Sequence, residues 1–136
     1  VFGSRYMKNG YSEDDTFITL IGNKIFSFLG NLLFSLELSD ILYTFVMGNA
    51  QKARDLKIKE KDFAFCVELP IKAKKAGYKI TSLPSYEKPR IAGRKKVNAF
   101  KDGLMILFSM IKFLIKKWFF KVQKKHIAQQ INSNTK

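Results

Sequence analysis

Apolar positions along the chain fall into groups separated by polar turns, and each group has its own period. From Ser12 to Leu36 the residues Phe17, Leu20, Ile21, Ile25, Phe28, Leu29 and Leu32 follow three- and four-residue spacing. That spacing predicts a long helix with one stripe meant for burial. Ser12 is the expected N-cap, and Glu13, Asp14 and Asp15 place negative charge on the first turn, where the helix dipole favours it. A polar turn, Glu37-Leu38-Ser39-Asp40, leads to the short apolar run Ile41–Met47, which fits a strand or a loop. Residues 51–61 are polar and expected to be solvated. Asp62 is the expected N-cap of a second helix running to Ala76, with Gly77 at C′ and a kink or break near Cys66–Pro70, because Pro70 removes a backbone hydrogen bond. Tyr78–Leu83 alternates between Gly77 and Pro84 and predicts a short strand. A basic loop, Lys88 to Lys96, then leads to a last helix over about Val97–Lys125.

These elements divide the chain into residues 1–100, a body of mixed helix and strand; residues 101–125, an apolar and amphipathic basic helix; and residues 126–136, a polar tail expected to be mobile. The chain has 136 residues, 46% apolar and 26% charged, which excludes wholesale disorder and collagen-like classes. Its net charge of +14 is concentrated at one end. Residues 1–87 hold 12 bases and 10 acids, whereas residues 88–136 hold 13 bases and only Asp102. A nearly neutral body with a basic C-terminal third points to a polyanionic partner: phosphate groups, an anionic membrane or nucleic acid. Cys66 is the only cysteine, so no intrachain disulfide can form and a reducing compartment is compatible. The chain opens on Val1-Phe2-Gly3-Ser4-Arg5-Tyr6 without a basic, apolar leader, so no signal peptide is expected. That opening reads as a strand entered within a domain, and hence as a piece of a longer protein. Phe17–Leu36 contains Asn23, Lys24 and Asn31, and Leu104–Val122 contains Lys112, Lys116, Lys117 and Lys121, so neither is read as a transmembrane span.

Three groups of residues could carry chemistry. Arg90-Ile91-Ala92-Gly93-Arg94-Lys95-Lys96 brings four cations and a glycine together just after Pro89. Arginine grips phosphate bidentately, lysine adds point charge, and glycine lets the backbone approach; the same run also fits a solvated charge segment. It has no P-loop spacing. In the last helix, Ile111, Ile115, Trp118, Phe119 and Val122 fall on one side, with Lys112, Lys116, Lys117, Lys121 and Lys124 on the other. This is the composition of a helix lying in a membrane interface, and equally of a helix packed on a core with a solvated basic back. Its aromatics cluster with aliphatics rather than interleaving with cations, which disfavours nucleic acid. Asp40, Glu68 and Asp102 are the acids with apolar neighbours, each a candidate catalytic or orienting carboxylate or a simple cap or ion-pair partner. His126 and Cys66 each stand alone, so a zinc site or a histidine-based triad has no ligand set.

Taken in order, Gly3-Ser4-Arg5-Tyr6, Gly22-Asn23-Lys24, Ser39-Asp40, Phe65-Cys66-Val67-Glu68-Leu69, Gly77-Tyr78-Lys79-Ile80, Pro84-Ser85-Tyr86-Glu87, Arg90-Ile91-Ala92-Gly93-x-x-Lys96 and Asp102-Gly103 form a pattern. Over roughly residues 1–110 it resembles the C-terminal half of family 2 glycosyltransferases, the group that includes dolichol- and polyprenyl-phosphate sugar transferases. The resemblance implies the C-terminal, acceptor-side portion of a GT-A-type α/β fold, helix-rich and ending in an amphipathic helix. It implies transfer of a sugar from a nucleotide-sugar donor to an acceptor, polyprenyl phosphate being one candidate. By the same resemblance Asp40 and Glu68 are catalytic-site acids. Arg90, Gly93 and Lys96, with Arg94 and Lys95, form the phosphate-binding R-x-x-G-x-S-K loop. Lys95 replaces the family serine, which keeps the charge and loses the hydroxyl, and Tyr43-Thr44-Phe45-Val46 stands where Gly-Phe-Arg often follows the aspartate. The family's nucleotide-binding units and metal-binding D-x-D have no counterpart in these residues. A divalent Mg or Mn is therefore expected of the full-length enzyme, with none bound by this chain alone, and the chain alone is expected to be inactive. Lys112, Lys116, Lys117, Trp118, Phe119 and Lys121 are expected at an anionic membrane surface. The implied location is cytoplasmic, peripheral at the inner face of the membrane, with no nucleic acid partner. The rival reading is a non-catalytic basic module that binds membranes or nucleic acid.

Overall fold

A computed structural model describes the backbone of residues 1–89, 91–93 and 98–134, and the side chains of the last helix as far as Phe119. The fold mixes helices with two small parallel sheets, an arrangement compatible with an α/β class. Strand β1 (Phe2–Ser4) pairs in parallel with β3 (Ser82–Pro84), and β2 (Tyr11–Ser12) pairs in parallel with β4 (Tyr86–Glu87). The single run 82–87 therefore serves both sheets, and Ser85 joins them by donating its backbone N–H to Ser4 and accepting from Tyr11. Its parallel pairing with β1 requires a long crossover, which is made by helices α1 (Phe17–Phe34), α2 (Ala50–Asp55) and α3 (Phe65–Lys75). Helix α4 (Ala99–Asn134) closes the body. Phe2, Phe34, Leu36, Leu38, Ile41, Val67, Ile71, Ile106 and Met110 form the core, where β1, the end of α1, the segment after it, α3 and α4 meet.

Several boundaries differ from the sequence expectation for local reasons. Thr16, not Ser12, caps α1: its hydroxyl accepts from Thr19 N–H while the Thr19 hydroxyl accepts from Thr16 N–H. Ser12 instead lies in β2, where its hydroxyl accepts from Asp14 and Asp15 N–H and donates to Glu87. The acids at 13–15 thus precede the helix. Ile41–Met47 is loop, bridged to β1 between Phe2 and Val46. Within 51–61 the polar residues do form a short helix, because Asn49 caps it through Lys52 N–H. Asp62 does not cap: it adopts φ +53 and opens a 3-10 turn, Asp62–Ala64, that feeds α3. Helix α3 continues through buried Pro70 without a break and ends at Ala76, with Gly77 at φ +75 as expected of a C′ residue. The expected strand at 78–83 shifts to β3. Asn98 caps α4 through Lys101 N–H, and α4 carries the chain through the expected tail as far as Asn134.

The largest correction concerns α1. Most of its expected apolar stripe does not face the core: Phe17, Ile21, Ile25, Phe28 and Leu32 are exposed, Leu20 is half-buried, and Leu29 packs inward with Phe26, Leu33 and Phe34. Its polar side chains at four-residue spacing turn inward instead. Thr19 donates to Asp15, Asn23 donates to Tyr6 Oη, Ser27 Oγ accepts from Ile41 N–H, and Asn31 exchanges two bonds with the backbone of Leu38. Gly30 lets the helix come close, since a Cβ there would lie 3.0 Å from Ile41 Cδ1.

Candidate functional site

Strand β1 delivers Arg5 to the centre of the molecule, 8% exposed. A buried guanidinium needs its charge and its five donors met. Asp40, fully buried, grips it bidentately: Nε to Oδ2 at 2.7 Å and Nη2 to Oδ1 at 3.1 Å, with Arg5 N–H adding 3.3 Å. Nη1 reaches Glu87 Oε2 at 3.1 Å and Asp15 Oδ1 at 3.5 Å. The guanidinium lies over the Tyr43 ring at 4.7 Å and near the Tyr6 ring at 5.1 Å. Burial works against its charge, but the Asp40 carboxylate more than offsets this and raises its proton affinity above the ordinary arginine value. Tyr6 donates to Asp15 Oδ2 at 2.5 Å and accepts from Asn23, and burial together with Asp15 pushes its hydroxyl well above the ordinary range. Gly10 sits against this cluster: a Cβ there would meet Ser4 O at 2.5 Å.

Beside the cluster lies a cavity of about 510 Å³ between the inner face of α1 and the start of α4. Its polar lining includes Arg5, Asp14, Asp15, Asn23, Glu87 and Asp102, and its apolar lining Ile18, Phe26, Leu42, Phe63 and Ile106. Gly22 and Gly103 line it without side chains; a Cβ on Gly22 would meet nothing within 4 Å, and one on Gly103 only Phe26, at 3.8 Å. Glu87 and Ala99, on either side of the basic loop, both line the cavity. A concave space lined by both polar and apolar side chains can take an amphiphilic ligand.

The structure separates the two expected catalytic acids. Asp40 belongs to this cluster, yet its carboxylate is consumed in holding Arg5 and is covered by protein. Glu68 lies outside the cavity, 2% exposed on α3. There its Oε2 accepts from Lys59 and Glu60 N–H, at 2.8 and 2.6 Å, and its Oε1 pairs with Lys72 at 2.7 Å. Burial alone would raise its proton affinity, but these donors win and lower it below the ordinary carboxylate value. Glu68 thereby ties α3 to the chain before it, a positioning role. Asp102 does line the cavity, with Oδ2 accepting from Asn98 N–H. Cys66 is buried and free, its thiol pushed up to about 11 by burial, so it offers no nucleophile.

Of the expected phosphate-binding residues, Gly93 is exposed at φ +91, while Arg90, Arg94, Lys95 and Lys96 lie outside the described residues. On α4, Lys112 pairs with Glu60 and Lys117 donates to Leu33 O at 2.8 Å, so both reach back to the body. Lys116 lies 6.0 Å from the Phe113 ring. Ile111, Ile115, Trp118 and Phe119 remain exposed, whereas the side chain of Lys121 lies outside the described residues. Helix α4 packs on the core through Ile106, Met110, Phe113 and Leu114, so the helix is packed on the core as one alternative had it, but through a different side from the exposed Trp118 and Phe119. Among the described residues no three histidine, cysteine or acidic side chains converge on a metal-sized site, so the divalent ion that the resemblance implies has no ligand set there. The sequence placed Asp15 only at a helix start and Arg5 and Glu87 only in the motif series, with no role at a site, although an arginine just after a strand, in a body with several unassigned acids, was the available signal. Compared with models of protein families, with curated proteins and with solved structures, the chain matches none.

Proposed function

We propose that this chain is the acceptor-side portion of a membrane-associated glycosyltransferase of family 2 type, in the C-terminal part of a GT-A-type fold. The observation that supports it best is the cavity between α1 and α4, lined by both polar and apolar side chains, with Glu87 and Ala99 on its wall to either side of the basic loop. In this reading the nucleotide-sugar donor binds elsewhere in the longer enzyme, and the cavity receives the acceptor, polyprenyl phosphate being the candidate. Arg90, Arg94, Lys95 and Lys96 supply the charge that neutralises phosphate. Arg5, held by Asp40, keeps Glu87 and Asp15 in place on the cavity wall. Lys116, Trp118 and Phe119 meet the membrane surface at the cytoplasmic face.

The test uses farnesyl phosphate, a short soluble acceptor analogue, with farnesol as the phosphate-free control. The chain is expected to bind farnesyl phosphate and to bind farnesol at least about tenfold more weakly, as a lost charge-assisted contact implies. Gly103→Leu projects a side chain into the cavity while improving helix propensity by about 1 kcal/mol, so it should fold and lose binding. Arg90→Ala should weaken farnesyl phosphate and leave farnesol unchanged. Equal affinity of the wild-type chain and Gly103→Leu, measured by calorimetry, would refute the cavity as the acceptor site.

A further inference from the structure

We infer that α1 is a membrane-docking helix, whose outer stripe lies in the headgroup–acyl boundary of an anionic bilayer together with the outer side of α4. The sugar-transfer reading is not needed for this, since the inference rests on how α1 is oriented. In a helix facing water, large apolar residues turn inward and polar ones outward. Helix α1 packs Phe26, Leu29, Leu33 and Phe34 inward beside Asn23, Ser27 and Asn31, which are bonded to the body, yet it keeps a second apolar stripe outside, with Phe17 76%, Phe28 64% and Leu32 65% exposed. Helix α4, packed beside α1, likewise exposes Leu104, Phe108, Ile111, Ile115 and Trp118.

Length and composition alone would let α1 cross a bilayer. Its inner face argues against crossing, because its four polar side chains already hold protein groups and would have to leave them. Lying flat keeps those bonds and buries only the outer stripe, which is how an interfacial helix binds.

Charge selects the occupant. The two helices carry eight lysines against one acid, Asp102, and that acid faces the cavity and Asn98. A second copy of the chain would bring like charges together, whereas an anionic leaflet attracts them. The occupant is therefore a bilayer containing acidic lipid.

The chain offers its own probe, since Trp118 is its only tryptophan and is 60% exposed on α4. On vesicles of phosphatidylcholine with phosphatidylglycerol, its emission should shift to the blue and the chain should co-sediment. Binding should weaken as salt rises and be far weaker on phosphatidylcholine alone. Phe28→Ser with Leu32→Ser removes two exposed side chains of α1 only, so circular dichroism should be unchanged while partition falls on the order of tenfold or more. Unaltered partition of that folded double variant would overturn the role of α1. Vesicle-independent dimers that the double variant abolishes would assign the stripe to a second copy instead. Co-sedimentation with unshifted Trp118 emission would overturn the part given to α4.

Discussion

At the scale of single residues, Arg5 and Asp40 show how a buried charge is tolerated and what it then controls. Neither could be buried alone, since an unpaired ion inside a protein costs several kcal/mol. Together they satisfy each other bidentately, and the spare Nη1 of Arg5 orders Glu87 and Asp15 on the cavity wall. Arg5→Met or Asp40→Leu alone should each lower stability by about 3–5 kcal/mol in urea unfolding, because each strands its partner. Arg5→Met combined with Asp40→Leu should recover about 2 kcal/mol relative to the sum of the singles. Strict additivity would mean that the pair contributes nothing as a pair. Asp40 was legible as an acid in an apolar setting, but its partner was not. They stand 35 positions apart, and no pattern in the stretch between them marks the pairing.

Among the elements, α1 is where the period was legible and the buried face only in part, since Leu29 packs on the core while the rest of the stripe is largely exposed. The spacing of Phe17, Ile21, Ile25, Phe28 and Leu32 does mark one face of a helix; which face turns inward is decided by the partners available. Buried backbone groups need acceptors and donors, and Ser27 and Asn31 supply them to Ile41 and Leu38. That polar stripe, spaced by four from Thr19 to Asn31, was equally visible in the sequence. Its meaning depended on a loop whose folding the local pattern did not specify. The orientation predicts an inversion of the usual rule for stability. Ser27→Ala leaves the buried Ile41 N–H without an acceptor and should cost about 1–3 kcal/mol in urea unfolding. Phe28→Ser, one position on, should change stability by less than about 0.5 kcal/mol in water. A large loss for Phe28→Ser with none for Ser27→Ala would place the other face of α1 against the core.

At the scale of the whole molecule, two polar links hold the layers in register around the apolar core. One is the Arg5 cluster, which joins β1, the loop at Asp40 and β4. The other begins at Glu68 on α3, which gathers Lys59 and Glu60 N–H; Glu60 in turn pairs with Lys112 on α4. The second link is the one that acid should undo. Glu68 has its proton affinity lowered in the fold, so the unfolded chain takes up the proton at higher pH than the folded one. Its contribution is therefore complete above the ordinary glutamate value of 4.5 and is lost as pH falls through that value towards the lowered one. Glu68→Gln keeps one carbonyl oxygen but loses the charge that Lys72 and the two N–H groups share, and should cost about 2 kcal/mol at pH 7. The gap between Glu68→Gln and the wild-type chain should close as the pH is lowered, since protonated Glu68 and Gln offer similar groups. Urea unfolding at a series of pH values measures this directly. A gap that stays constant down to the acid limit would mean that the charge of Glu68 is not what binds α3, the 59–60 segment and α4 together.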